Sequence, residues 1–141
     1  MSDPKYVTSA TSWGGGRQGR VATQDTKIDV ELSVPAGLGG DDGPGTNPEQ
    51  LFAAAWASCF HGAVKAIARS KKVDVGESAV TVTVALNGEF DSGFFFTVTI
   101  EGEFPGVDTA TAQELLEAAH EKCPYSRVTR GNAEVDLKVA G

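Results

Sequence analysis

The feature that most constrains this chain is the stretch 46–64, TNPEQLFAAAWASCFHGAV. Asn47 is a good helix N-cap, Pro48 suits the first helical position and Gln50 can complete a capping box. A helix is expected from Pro48 to somewhere between Arg69 and Lys72. From Leu51 to Ala57 it carries no polar residue on any face, and a helix that is apolar all round is expected to be buried all round. Cys59 is therefore expected on a central helix and not on a surface loop. Lys65, Arg69, Lys71 and Lys72 gather at the C-terminal end, where cations oppose the helix dipole and remain in solvent.

The flanking sequence alternates with a period of two. Strands are expected over 6–13, 17–23 and 27–34, with a turn at the Gly14-Gly15-Gly16 run between the first two. Ile28, Val30, Leu32 and Val34 mark the inward face of the third strand. The glycine-rich segment 36–46 reads as a connector: no strand runs straight into it, and it lacks the Lys-Ser/Thr ending of a phosphate loop. Val80, Val82, Val84 and Leu86 align on one side of a strand over 80–90. After the Asp91-Ser92-Gly93 turn, Phe94, Phe96, Val98 and Ile100 do so again, which predicts a long hairpin. A second helix, capped by Asp108 or Thr109, runs to about Lys122 and shows an apolar stripe of Ala112, Leu115, Leu116 and Ala119. Pro124 stops it and biases Cys123 towards an extended backbone. A last strand is expected over 133–139.

The order is three strands, helix, two strands, helix, strand, so the class is α+β. With 141 residues the chain is expected to form a single domain, 1–141. One sheet and one amphipathic helix cannot cover a helix apolar on every face, so an intimate homodimer is expected. The formal net charge of −7 argues against nucleic acid or an anionic membrane as the main partner. No apolar run reads as a membrane span and no charged-then-apolar N-terminus reads as an export signal, so the expected place is the cytoplasm. Two cysteines in a reducing compartment do not make a disulfide scaffold; they are buried residues or redox reagents.

Taken alone, Cys59 is either a small buried residue or a nucleophile. Burial raises a thiol's pKa, so reactivity needs a fixed positive neighbour. Cys123, at a helix end before a proline, suits either a packed cysteine or a resolving thiol on a mobile junction. Cys59, His61, His120 and Cys123 match the donor count of a structural zinc site. Residues two apart on a helix point about 200° apart, however, so Cys59 and His61 cannot share an ion. The same geometry takes His61 away from Cys59 as a general base. His120 suits dipole compensation at a helix C-terminus.

The stretches TNPEQLFAAAWASCFHGAV and HEKCPYSRVTRGNAEVDL resemble the two cysteine motifs of the organic hydroperoxide resistance proteins of the OsmC-like superfamily. SWGGGRQGRV, IDVELSVP and LGGDDGPGTNPEQ extend the resemblance over nearly the whole chain. The sequence departs from the family pattern at Trp56 (commonly Tyr), Ser58 and His61 (more usually Ala and Leu), and Arg127-Val128 (typically Asn-Ala).

The resemblance implies an OsmC-like fold in which antiparallel sheets wrap central helices in an intertwined homodimer. It implies a thiol peroxidase acting on organic hydroperoxides, alkyl or fatty-acid-like, in the response to oxidative stress. Cys59 is then the peroxidatic cysteine and Cys123 the resolving one. Arg17 matches the arginine that supports the thiolate, and Glu49 the carboxylate that holds it. No metal or other cofactor is implied, and the reductant is a dithiol such as a lipoylated protein. Glu49 and Cys59 lie ten residues apart on one helix, about 15 Å along its axis, which favours Arg17 and Glu49 of one subunit completing the site around Cys59 of the other. Three alternatives remain: an OsmC-type peroxidase with a broader peroxide range, a non-catalytic redox-sensing or binding protein on the same fold, and a plain structural domain in which neither thiol reacts.

Overall fold

The computed structural model describes residues 3–141. The chain divides into two compact units, the first ending at Leu51 and the second running from Phe52 to Gly141.

The first unit is built on a three-stranded antiparallel sheet in the order β1 (Ala10–Trp13), β2 (Arg20–Thr23), β3 (Asp29–Glu31). These strands are shorter than the sequence pattern predicts. Arg17 does not lie in β2: Gly16–Gln18 form a 3-10 turn between β1 and β2. Gly14 and Gly16 adopt positive φ there, and a Cβ on Gly19 would stand 1.9 Å from the Trp13 carbonyl oxygen. Glycine chemistry thus overrides the alternation of RQGRV and turns a predicted strand start into a tight loop. Of the residues expected to face inward from β3, Leu32 is buried, whereas Ile28 is exposed. The connector that follows is not slack. Ser33 N–H donates to the Thr46 carbonyl (2.9 Å), Thr46 N–H to the Glu31 carbonyl (3.0 Å) and Gly45 N–H to Ser33 Oγ (2.8 Å). The start of the long helix is thereby pinned beside β3.

That helix, α1 (Pro48–Ser70), has the predicted bounds. Asn47 Oδ1 accepts the Gln50 N–H at 2.8 Å, the expected cap. Gln50 does not close a box on Asn47; its side-chain oxygen accepts the Thr46 hydroxyl instead, at 2.7 Å. By length and composition alone α1 is apolar enough to cross a membrane, a test that the core helix of a soluble protein also passes. Its burial also differs from expectation. Trp56, Phe60, Val64 and Ala68 form one buried stripe at four-residue spacing, while Ala54, Ser58, Gly62 and Ala66 on another face are exposed in the single chain.

In the second unit β4 (Ala79–Glu89) and β5 (Gly93–Glu103) form the long hairpin, with Val82 opposite Ile100 and Val84 opposite Val98. The second helix, α2 (Thr109–Lys122), is capped by Asp108, whose Oδ2 accepts the Thr111 N–H at 3.0 Å. The chain does not go straight from Pro124 into the last strand, as the sequence pattern predicts. Pro124 opens a short helix, α3 (Pro124–Thr129). The last strand, β6 (Glu134–Val139), pairs parallel with β5 and not antiparallel, the α2–α3 segment serving as the crossover that parallel neighbours need. One apolar core joins Trp56, Phe60 and Val64 of α1 with Val82, Val98 and Ile100 of the sheet and with Leu115, Leu116 and Ala119 of α2.

Candidate active site

The two sequence-predicted cysteines are brought together within the second unit. The buried stripe of α1 places Cys59 one turn beyond Trp56, half-buried against the core. Cys123 is fully buried. Its thiol donates to Cys59 Sγ at 3.7 Å, and both cysteines are free thiols. A disulfide S–S bond is about 2.0 Å long, so bond formation requires the sulfurs to close by roughly 1.7 Å.

The sequence leaves Cys123 as either a packed cysteine or a thiol on a mobile junction; the structure buries it on a tied one. Its backbone is extended (φ −63°, ψ 124°), as the following proline dictates, and it ends α2 and starts α3 at once. Its N–H donates to the Ala119 carbonyl at 2.8 Å, and its carbonyl accepts the Arg127 N–H at 3.0 Å.

The second unit by itself does not make Cys59 a ready thiolate. Burial pushes its thiol up from the ordinary value, and the hydrogen bond and charge of Cys123 push it further. The Tyr125 backbone N–H works the other way; it is the first free amide of α3, because Pro124 has none. The neighbourhood is aromatic. The Phe52 ring lies 5.4 Å from those of Trp56 and Phe96 and 6.4 Å from that of Tyr125. Phe52, Trp56 and Cys59 recur at helical spacing on one side of α1.

Sequence reasoning missed Ser126, which is fully buried and whose Oγ accepts the Trp56 indole N–H at 3.2 Å. A signal was available. A tryptophan inside a run with no other polar group must find an acceptor when buried.

Among the described residues, neither histidine is hydrogen-bonded to a thiol. His61 Nε2 is 2.8 Å from Ser78 Oγ, and desolvation followed by Lys65 lowers its pKa. His120 was expected to compensate the dipole of α2 as a cation. Burial, then Arg130, lowers its pKa, and its Nδ1 is buried with no protein partner. Arg130 takes that role, its Nη2 donating to the His120 carbonyl at 2.6 Å.

Arg17 and Glu49 come together within the first unit. Arg17 Nη1 donates to Glu49 Oε2 at 2.9 Å and Nη2 to Oε1 at 2.7 Å, a two-pronged ion pair. The hydrogen bonds from Arg17 hold the Glu49 carboxyl below its usual range, and Glu49 in turn raises Arg17. The Arg17 side chain is 46% exposed and that of Glu49 15%, so the guanidinium retains open surface while the carboxylate is largely covered. Glu49 also lies in the first turn of α1, where a negative charge meets the positive end of the dipole.

Residues 39–138 match the family model described as OsmC-like protein. The chain is 44% identical over 143 residues to the organic hydroperoxide resistance protein of Xanthomonas axonopodis pv. citri, covering 99% of this chain and 100% of that one. It is 47% identical over 137 residues to the organic hydroperoxide resistance protein-like 1 of Staphylococcus saprophyticus, covering 96% and 95%. The crystal structure of an organic hydroperoxide resistance protein from Legionella pneumophila matches with a TM-score of 0.92 at 38% identity, over 99% of this chain and 100% of that one. With both cysteine segments inside the matched region, the chain belongs to the OsmC-like family, within its organic hydroperoxide resistance group.

Proposed function

We propose that this protein serves organic hydroperoxide resistance as a two-cysteine peroxidase that reduces organic hydroperoxides to alcohols. The observation that carries the reading is the 3.7 Å approach of Cys123 Sγ to Cys59 Sγ, with both sulfurs free. The Cys59 thiolate attacks the distal peroxide oxygen. The O–O bond breaks, its electron pair leaves on the alkoxide, and a proton completes the alcohol. Cys59 is left as a sulfenic acid. Cys123 then attacks that sulfur, a disulfide forms and water departs. An external dithiol gives up two electrons and two protons by exchange and restores both thiols.

In this reading Arg17 is the cation that favours the Cys59 thiolate and the growing charge on the leaving oxygen, and Glu49 is its anchor. The need for such a cation follows from the upward push that burial and Cys123 exert on Cys59. The chain acts as one domain over 1–141 in a homodimer, for which the exposed small-residue face of α1 leaves room. The aromatic surroundings of Phe52, Trp56 and Tyr125 suit an alkyl or fatty-acid-like peroxide better than hydrogen peroxide. A lipoylated protein is the proposed dithiol, and the cytoplasm the proposed compartment.

The test is consumption of cumene hydroperoxide with dihydrolipoamide as reductant, beside Cys59→Ser. Turnover by the wild type and none by the variant supports the reading. Equal turnover by both would end it.

A further inference from the structure

We infer that Trp56 and Ser126 form a positioning clamp that holds Cys123 against Cys59 before any oxidation occurs. The two pairs are in step: Trp56 lies three residues before Cys59 on α1, and Ser126 three residues after Cys123 on α3. Each clamp residue is therefore about one turn from the thiol it serves. Ser126 and Trp56 are both fully buried, and among the described residues Ser126 is the buried polar one in a core otherwise made of apolar side chains. Their bond, at 3.2 Å, joins segments 70 positions apart.

An indole N–H is a donor only and needs an acceptor when buried. Of the larger α3 side chains, Tyr125 packs on Phe52 of α1 at 6.4 Å and Val128 is exposed, so a second contact is needed to fix the rotation of the helix. With Ser126 held by Trp56, α3 cannot roll on α1, and the extended Cys123 at its start stays where its thiol reaches Cys59. Two apolar residues of similar volume would fill the same space at little cost in stability. What they would lose is the direction that the hydrogen bond imposes.

The clamp acts on the thiol pair through restriction of the reduced form. A disulfide itself restrains α3, so freedom released by removing the clamp goes mainly to the dithiol. The disulfide is then less favoured, as for any linkage whose effective concentration falls. A role in stability alone would weaken both redox forms equally and cancel from their equilibrium.

The inference rests on the two-thiol reading, and the experiment separates the two. The full-length protein is equilibrated with mixtures of reduced and oxidised dithiothreitol, in which the protein gives two electrons and two protons to oxidised dithiothreitol as its disulfide forms. The intrachain disulfide fraction is then read by thiol labelling. Trp56→Phe, Ser126→Ala and the double variant are compared with the wild type, and thermal melting is recorded for each. The expected result is a fall of about tenfold in the disulfide equilibrium constant, equivalent to about 30 mV for a two-electron couple. The fall appears in all three variants, including the double one, which leaves no orphaned polar group and remains the test if Ser126→Ala does not fold. Constants within twofold of the wild type in the double variant overturn the clamp, whatever the melting temperatures do. Failure of the wild type to form the disulfide at all overturns the two-thiol reading itself.

Discussion

Cys123 donates its thiol hydrogen to Cys59 at 3.7 Å while lying fully buried between two helices that it caps. Two thiols so placed are not interchangeable. Cys59 has the greater exposure and faces an opposing backbone N–H, whereas Cys123 is enclosed. Peroxide is expected to meet Cys59 first. Cys59→Ser should abolish peroxide consumption. Cys123→Ser should still consume about one equivalent and then stop with dihydrolipoamide as reductant; mass spectrometry should find the oxygen on Cys59.

Arg17 donates through both arms of its guanidinium, a geometry that an ammonium cannot copy. Arg17→Ala should lower the rate of peroxide attack by about 100-fold, within the range seen when a charge-stabilising donor is removed from an active site. Its rate should also rise with pH to a higher midpoint than the wild type, because burial and Cys123 hold the Cys59 thiol up. Stopped-flow rates between pH 6 and 10 measure both. An unchanged midpoint would separate Arg17 from the thiol.

Gly19 stands where a Cβ would lie 1.9 Å from the Trp13 carbonyl oxygen. Gly19→Ala must open the 3-10 turn that carries Arg17, at a cost on the order of 1–3 kcal/mol. The expected outcome is a lower melting temperature together with a loss of activity approaching that of Arg17→Ala. Full activity in a destabilised protein would show that the turn does not set the position of Arg17.

Both histidines have lowered pKa values in the fold, mainly through burial. The unfolded chain therefore binds these protons first as pH falls. Their contribution is complete above the unfolded value of about 6.5 and is lost progressively below it. Asp25, Asp29, Glu49 and Asp108 have lowered carboxyl values and act only in stronger acid. Melting temperature should drop from pH 7 to pH 5, and a His61→Gln, His120→Gln variant should show a flatter profile over that interval.

Much of the second unit was legible in advance because long periodic segments dominate it. The β4–β5 hairpin and the end of α1 follow from alternation and a cationic last turn, as the start of α1, at the edge of the first unit, follows from its capping residues. The first unit was less legible because four glycines within 14–19 decide its backbone, and no side-chain periodicity records what they do. The α3 helix escaped because six residues are too few to show a period, and Pro124 reads as an end as readily as a beginning. The parallel run of β6 escaped because strand direction is set by the crossover and leaves no mark in an alternating pattern. Cys59, Cys123, Arg17 and Glu49 could be named from motif resemblance. Ser126 could not: the Trp56 indole signals that an acceptor is needed but does not say which residue, 70 positions away, supplies it.

The parallel pairing of β6 with β5 bears on the order in which the fold assembles. Cys59 emerges early on a helix that forms from local contacts, but Cys123 belongs to a crossover whose far end is tied down by the last strand. Contacts of such sequence separation form late, because loop closure precedes their reward. A chain lacking 134–139 thus lacks the pairing that ties down the far end of that crossover. Under the two-cysteine proposal, the sulfurs are therefore set in place late in folding.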